Sequence, residues 1–567
     1  MTLRRSGAKV AAVGLILALT AFACHGPSAP ASPRVDAGAR GPQAKRVSGG
    51  TLNVLMKADF DHLDPARIYV VDAWNFSRLL YRTLTTYKAV PGKAGAEIVG
   101  DMATNTGVPS DGGKTWRFRL KDGLNYEDGT DVKAEDIKYG VERAFDPDLP
   151  EGPQYIQQLL ADVPSGYKGP KKSGGKELHS IVVSGKDITF RLKKAVGDFA
   201  YTMSLPTTAP VPRAKDTGLL YDKRVFSSGP YKIDTYKRGT NLTLVRNRFW
   251  DETTDQVRRS YPDRIVCSFG LDPATIDQRL IANSGPDTTA IDLDTMLSPE
   301  SIPQALGKAA TKARTAYGLT GGVRYLAINT AKIRDVRVRR AINYGVNRRA
   351  YRTARGGRYV GEYATTILAP DILGHKKYDL YPAQPQGDAA KAKQLLQQAG
   401  VTLPLRVTLS TTNVGTGITQ AVAVQEALKR AGIEVTIQQT APEVYFTTFG
   451  GSKQPELAFV SWSPDWPSAG AVLPSLFDGR QINKPNGHNY AQFSDPGVDE
   501  QMDRIGAMTN RKGKAKAWGE LDETIMRQAP VVPLLYSAGI QMHGSKVHGA
   551  YLHSYFGTFD MVSLSAA

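Results

Sequence analysis

The residues Gly107-Val-Pro-Ser-Asp-Gly-Gly-Lys-Thr115 come nearest to a nucleotide-binding motif in this chain. Gly113-Lys114-Thr115 could close a G-x-x-x-x-G-K-T loop, whose first glycine would fall at Val108, one residue after Gly107. The segment also runs into an alternating, strand-like stretch rather than into the helix whose N-terminus would hold phosphate, so it reads as a turn. The eight histidines are scattered and none forms H-E-x-x-H, and there is no C-x-x-C. A zinc site is therefore not expected, and neither is a resident metal or cofactor. No G-x-S-x-G supplies a nucleophile elbow. Glu135 and Asp136 are neighbouring carboxylates, and they read as acidic residues favoured at a helix start rather than as a catalytic pair. None of these groups makes a catalytic centre, and no enzyme activity is expected.

The other reactive residues are two cysteines, Cys24 and Cys267. Cys267 lies in Arg264-Ile-Val-Cys-Ser-Phe269, an apolar run that reads as a buried strand, and it is expected to be a small core residue. Cys24 has a different setting. Arg4, Arg5 and Lys9 form a positive start, and Val10 to Ala23 is an apolar and small-residue run too short to span a bilayer as a helix. Ala21-Phe22-Ala23 then fits an A-x-A cleavage pattern, and Cys24 follows. This resembles a bacterial lipoprotein signal, which implies a lipid on Cys24. The same bond also suits ordinary signal peptidase, and Arg4-Arg5 leaves both the general and the twin-arginine export routes open. Residues 25–48 are rich in Pro, Ala, Gly and Ser and read as a flexible tether. The expected arrangement is a signal peptide over 1–23, a tether over 24–48, and a folded body held at the outer face of the cell membrane.

The 567 residues exceed what one hydrophobic core holds, so two or three domains are expected. A 22% charged content and a mean hydropathy of −0.31 argue against a polytopic membrane protein. The net charge of +18 is dispersed, with no dense Lys/Arg run and no aromatic interleaving, so nucleic acid is not an expected partner. Residues 51–56, 116–120 and 188–192 read as strands, the last two by strict alternation. A helix is expected over 74–84 and an amphipathic one over 134–145. Further on, Asp388 caps a helix to Ala399, Gly400 ends it, and a helix over 420–431 precedes a strand over 433–438. This alternation is α/β in class. The Gly- and Pro-containing stretches 164–175 and 362–387 read as surface excursions.

The segment Phe118-Arg-Leu-Lys-Asp-Gly-Leu-Asn-Tyr-Glu-Asp-Gly-Thr-Asp-Val-Lys-Ala-Glu-Asp-Ile-Lys-Tyr-Gly-Val-Glu-Arg-Ala-Phe145 resembles the hallmark of the family 5 extracellular solute-binding proteins. Leu63-Asp-Pro65, Gly229-Pro-Tyr-Lys232, Leu326-Ala-Ile-Asn-Thr330 with Asp335 to Tyr344, and Pro530-Val-Val-Pro-Leu534 agree with it in the same order. The resemblance implies a two-lobed periplasmic-binding-protein-like fold of the class II, cluster C type, with a hinge and an interlobe cleft. Lobe I would span 49–318 plus 534–567, with an extra subdomain over about 82–205, and lobe II 319–533. It implies a monomeric receptor that binds peptides and delivers them to the permease subunits of an ATP-driven importer. The same fold binding a sugar, metal chelate or specialised metabolite is the alternative. In peptide-binding members a Trp-x-x-Asp-aromatic segment holds the ligand's ammonium. By that resemblance Asp465 of Trp462-Ser-Pro-Asp-Trp466 takes this role, with Trp462 and Trp466 as walls, Ser463 as a backbone-bonding position and Val71 as a contact from lobe I. A charge-assisted bond to a group that every free peptide carries would anchor all sequences alike.

Overall fold

The computed structural model describes residues 47–446, 454–484 and 487–567. The expected signal peptide, Cys24 and nearly all of the tether lie outside the described residues. Two large sheets organise the body. The first has five strands in the order 290–292, 51–55, 264–268, 241–246 and 231–237. Thr51–Leu55 runs parallel to both of its neighbours, and the remaining pairs are antiparallel. Cys267 lies on its central strand with no exposure, as the apolar run around it requires.

The second sheet has six strands in the order 361–363, 531–542, 315–328, 457–462, 405–412 and 433–440. The strands 405–412, 433–440 and 457–462 run parallel, which places their carboxyl ends along one side. Helices pack on this sheet, among them Ala389–Gln398, which Asp388 caps through Lys391 N, and Gly417–Arg430. A smaller antiparallel sheet (108–110, 115–119, 187–191, 181–184) extends the first lobe. There the glycine-rich stretch that imitates a phosphate loop is the turn joining 108–110 to 115–119.

The long strands Thr315–Ile328 and Val531–Met542 tie the lobes together. Leu326, Val532 and Leu534 lie in a core against the second sheet, whereas Ile540, Met542 and Tyr317 pack with Leu55, Ile276 and Leu280 of the first lobe. Their pairing is irregular between Leu319 and Val323, where Gly321 takes a φ of +69°. A glycine tolerates that conformation without strain.

Two expectations differ from what is seen. The helix expected over 74–84 covers only Val71–Ser77, because the backbone beyond it turns away to pair with other elements: Leu80 O accepts from Ser228 and Gly229. The stretch 362–387 is not a surface excursion in its first half: Ala364, Ile367, Leu368, Ala369 and Ile372 are buried in the core around Trp518.

Candidate functional site

The strand Leu457–Trp462 delivers Asp465 to the line between the lobes. Pro464 and Pro467 are buried on either side of it, and Ser468 N donates to Trp466 O at 2.7 Å, which closes a tight local turn. Asp465 is half-buried. Its Oδ1 accepts from the Tyr69 hydroxyl at 3.1 Å and its Oδ2 from the Tyr155 hydroxyl, both from lobe I. Its backbone carbonyl accepts from Tyr555 Oη at 2.6 Å. A carboxylate has about four acceptor positions, so two tyrosine bonds leave room for a further donor.

The neighbours respond to this charge. Burial, followed by Asp465, pushes Tyr69 up to about 12, and the same causes push Tyr155 well up. Both phenols therefore stay neutral donors at physiological pH. His488 is pulled below its ordinary value by burial, with Asp465 opposing.

The lobe I side is rigidly built from its sequence motifs. Asp64 of Leu63-Asp-Pro65 makes a two-pronged pair with Arg143 at 2.7 and 2.6 Å, which clamps the loop to the helix Ala134–Arg143. Asp222 accepts from Leu63 N and Asp64 N at 2.6 and 2.9 Å. Arg67 pairs with Glu151 at 2.7 and 2.9 Å, joining the Tyr69 loop to the segment that carries Tyr155. A cavity of about 460 Å³ opens beside Tyr69, lined among others by Asp59, Phe60, Arg67, Glu151 and Arg238. Asp136, expected as a helix-start residue, accepts from Lys133 N at 3.0 Å and so satisfies the backbone N–H just before the helix.

The other expected residues fall around Asp465 in different ways. Trp466 packs edge-on to Tyr155, with centroids 5.0 Å apart, and its Nε1 is buried without a protein partner. Trp462 faces the second lobe, where Nε1 donates to Ala471 O and the ring lies 4.8 Å from that of His488. Ser463 is exposed. Val71 starts the helix two residues after Tyr69 and packs partly on the first core. Tyr69, Tyr155, Tyr555 and His488 were not expected. Tyr69 and Tyr155 stand 396 and 310 positions from Asp465 with no local pattern to mark them.

No helix among the described residues is long and apolar enough to cross a membrane. No metal-ligating cluster occurs among them either.

Comparisons with known proteins agree with this architecture. Residues 97–484 match the family described as bacterial extracellular solute-binding proteins, family 5 Middle. A solved structure described as clavulanic acid biosynthesis oligopeptide binding protein 2 is 34% identical, with a TM-score of 0.85 over 92% of this chain and 96% of that one. An oligopeptide-binding protein from Bacillus subtilis, solved with a nonapeptide, shares the fold at 19% identity and a TM-score of 0.64, over 92% of this chain and 100% of that one. A protein of Escherichia coli strain K12 described as a probable D,D-dipeptide-binding periplasmic protein is 24% identical over 84% of this chain and 86% of its own. The fold is thus the two-lobed α/β fold of these receptors, and the chain belongs to the family 5 bacterial extracellular solute-binding proteins.

Proposed function

We propose that this receptor captures peptides in the cleft between its lobes, with Asp465 taking the ligand's amino terminus, and presents them to the permease of an ATP-driven importer. The observation that carries this reading is the position of Asp465: one carboxylate at the lobe junction, held in orientation by two neutral tyrosine donors of the opposite lobe. An ammonium arriving there meets an oriented acceptor, and closure desolvates the pair. Trp466 and Trp462 add apolar walls with few rotors to freeze. Relatives whose names carry dipeptide, glutathione or oligopeptide binding support the ligand class. The chemistry is binding alone, with no bond broken.

The two lobes divide at the paired long strands. In this reading lobe I takes the chain up to about 318 and lobe II starts at about 319. The same reading puts the return crossing near 538, a choice supported by Leu534 and Leu535, which pack in the core against the six-stranded sheet. The small sheet between 108 and 191 belongs to the subdomain expected over about 82–205.

The test is calorimetry with tri-alanine. Asp465→Ala should weaken binding by about a hundredfold or more, the scale of removing one partner of a buried charged pair. Unchanged affinity sinks the assignment. A specialised metabolite bearing an amine is the second reading, favoured by the relative named for clavulanic acid biosynthesis. Mass spectrometry of whatever co-purifies with the folded protein separates the two.

The anchor belongs to the same proposal. A monomer tethered to the outer membrane face through lipidated Cys24 keeps the ligand near its permease. The mature protein should carry diacylglycerol on Cys24, and Cys24→Ala should release it from the membrane fraction. A mature N-terminus without lipid overturns the anchor and leaves the binding reading intact.

A further inference from the structure

The small antiparallel sheet of the first lobe has two unlike faces. Its inner face is Trp116, Phe118, Ile181, Ile188 and Phe190, all buried in the first core. Strand pairing fixes what the pleat turns outward. Val108 lies opposite Arg117, Arg117 opposite Thr189, and Thr189 opposite Val182, so these four cross the sheet in one row. The row on one side holds Ser110, Thr115 and Arg191, and the row on the other holds Arg119, Asp187 and Ser184. Arg117, Arg119 and Arg191 are exposed, and Val108 and Val182 keep 48% and 40% of their surface in solvent. Lys193 is exposed too and continues the outward alternation two residues after Arg191.

The outer face thus gathers four cations against a single carboxylate, Asp187, which pairs with Arg119 at 3.1 Å. They come from two strands far apart in sequence, so no basic run marks them. The aromatic side chains of these strands all point inward, which leaves the face without the anchors that protein interfaces favour. Four strands at their usual spacing make a shallow platform about 14 Å wide. Laid on a planar anionic surface, its cations come within a Debye length of about 8 Å together. The guanidinium fork matches phosphate oxygens. The 23 residues from Cys24 to Arg46 precede the first described residue and reach about 75 Å at full extension, so they leave this face free to turn to the bilayer.

We propose that the outer face of this sheet docks on an anionic phospholipid bilayer, with Arg117, Arg119, Arg191 and Lys193 meeting the headgroup phosphates. The proposal goes beyond peptide capture and does not depend on it. It gives the body one orientation on the membrane, whether or not Cys24 carries lipid. Each such cation strengthens binding to an anionic bilayer about fivefold.

The test is cosedimentation of the full chain with vesicles, in the Cys24→Ala background so that no attached lipid contributes. The protein should bind vesicles of mixed phosphatidylglycerol and phosphatidylcholine and leave phosphatidylcholine vesicles alone. Arg117→Gln/Arg119→Gln/Arg191→Gln should weaken that binding about a hundredfold. Lys393→Gln/Lys429→Gln/Arg430→Gln removes the same charge from exposed positions on the helices Ala389–Gln398 and Gly417–Arg430, and should change it less than about threefold. All six side chains are exposed, so both variants should fold, and circular dichroism checks this. Equal losses in the two variants would reduce the binding to net charge and overturn the proposal, as would unchanged binding in the first. Unchanged vesicle binding with lost tri-alanine uptake by cells would give the face to the permease and overturn it as well. A failure of peptide binding in calorimetry sinks the peptide reading and leaves the vesicle comparison to decide this one.

Discussion

Single residues in this receptor are held in one chemical form by what surrounds them, and His553 shows it most directly. It is fully buried, its Nε2 lies 3.2 Å from Lys88 O, and its Nδ1 accepts from Tyr555 N at 3.2 Å. Only the tautomer with its proton on Nε2 satisfies both contacts, because a proton on Nδ1 would face an N–H. Burial accordingly pulls its pKa down to about 4, Arg78 adding to the fall and Asp560 opposing it. A histidine depressed from about 6.5 binds fewer protons folded than unfolded. Its contribution is therefore full above about pH 6.5 and is lost as pH falls to about 4, a change of roughly 3 kcal/mol. Unfolding temperature should drop across that window, and His553→Gln should flatten the drop. An unchanged slope in the variant would show that His553 is not the titrating group. Buried His543, also pulled down to about 4, should keep a residual slope. At this scale the sequence is a partial guide. Asp465 is legible through its flanking tryptophans and the family resemblance. The tyrosines that orient it are not, since a lone tyrosine in a loop looks alike whether it serves a site or fills a surface.

Elements were far more legible than the contacts between them. Alternation over 116–120 and 188–192 marks strands that the structure pairs with each other, from Thr115 with Arg191 to Arg119 with Asp187. The capped helix after Asp388 falls where its start and stop residues put it. Errors arose where tertiary packing overrides local pattern. Residues 362–387 carry the glycines and prolines of a loop, yet Ala364, Ile367, Leu368, Ala369 and Ile372 fill the core around Trp518. Glycine content reports backbone freedom and says little about burial. Gly152 illustrates a contact that only three dimensions reveal. A Cβ built there would stand 2.0 Å from Ala66 O, so the Tyr155 segment and the Tyr69 loop touch backbone to backbone. Gly152→Ala must push them apart, at a cost of about 1–3 kcal/mol. Because these two segments present the two tyrosines to Asp465, ligand affinity should fall along with stability. The check is calorimetry beside thermal unfolding of Gly152→Ala, and full retention of affinity would show that the segments do not set the Tyr69–Tyr155 spacing.

Over the whole molecule, the lobes meet at a second buried contact on the same turn that carries Asp465. Lys514 Nζ pairs with Asp198 Oδ1 at 2.8 Å, and Ser468 Oγ donates to Asp198 Oδ2 at 2.8 Å. Lys514 and Ser468 belong to the lobe II core region and Asp198 to the subdomain of lobe I, and all three are buried. Gly197 N also donates to Gly506 O at 2.9 Å, so the backbones approach closely there. A clamp that closes on its ligand binds with an apparent affinity scaled by the population of the closed form. Breaking one side of a buried pair costs about 3–5 kcal/mol, because the remaining charge is stranded. If the pair exists only when the lobes meet, Lys514→Met moves that cost onto closure. Affinity for tri-alanine should then fall by about a hundredfold, although Lys514 lies outside the proposed ligand contacts. The scattering radius in saturating ligand should stay nearer that of the open form. Replacing both partners, Asp198→Leu with Lys514→Met, removes the stranded charge and should recover most of the affinity, since apolar substitutes for a buried pair are often neutral. A single variant with wild-type affinity and compaction would mean that the pair persists in both forms and that closure is governed by Asp465 and the ligand alone.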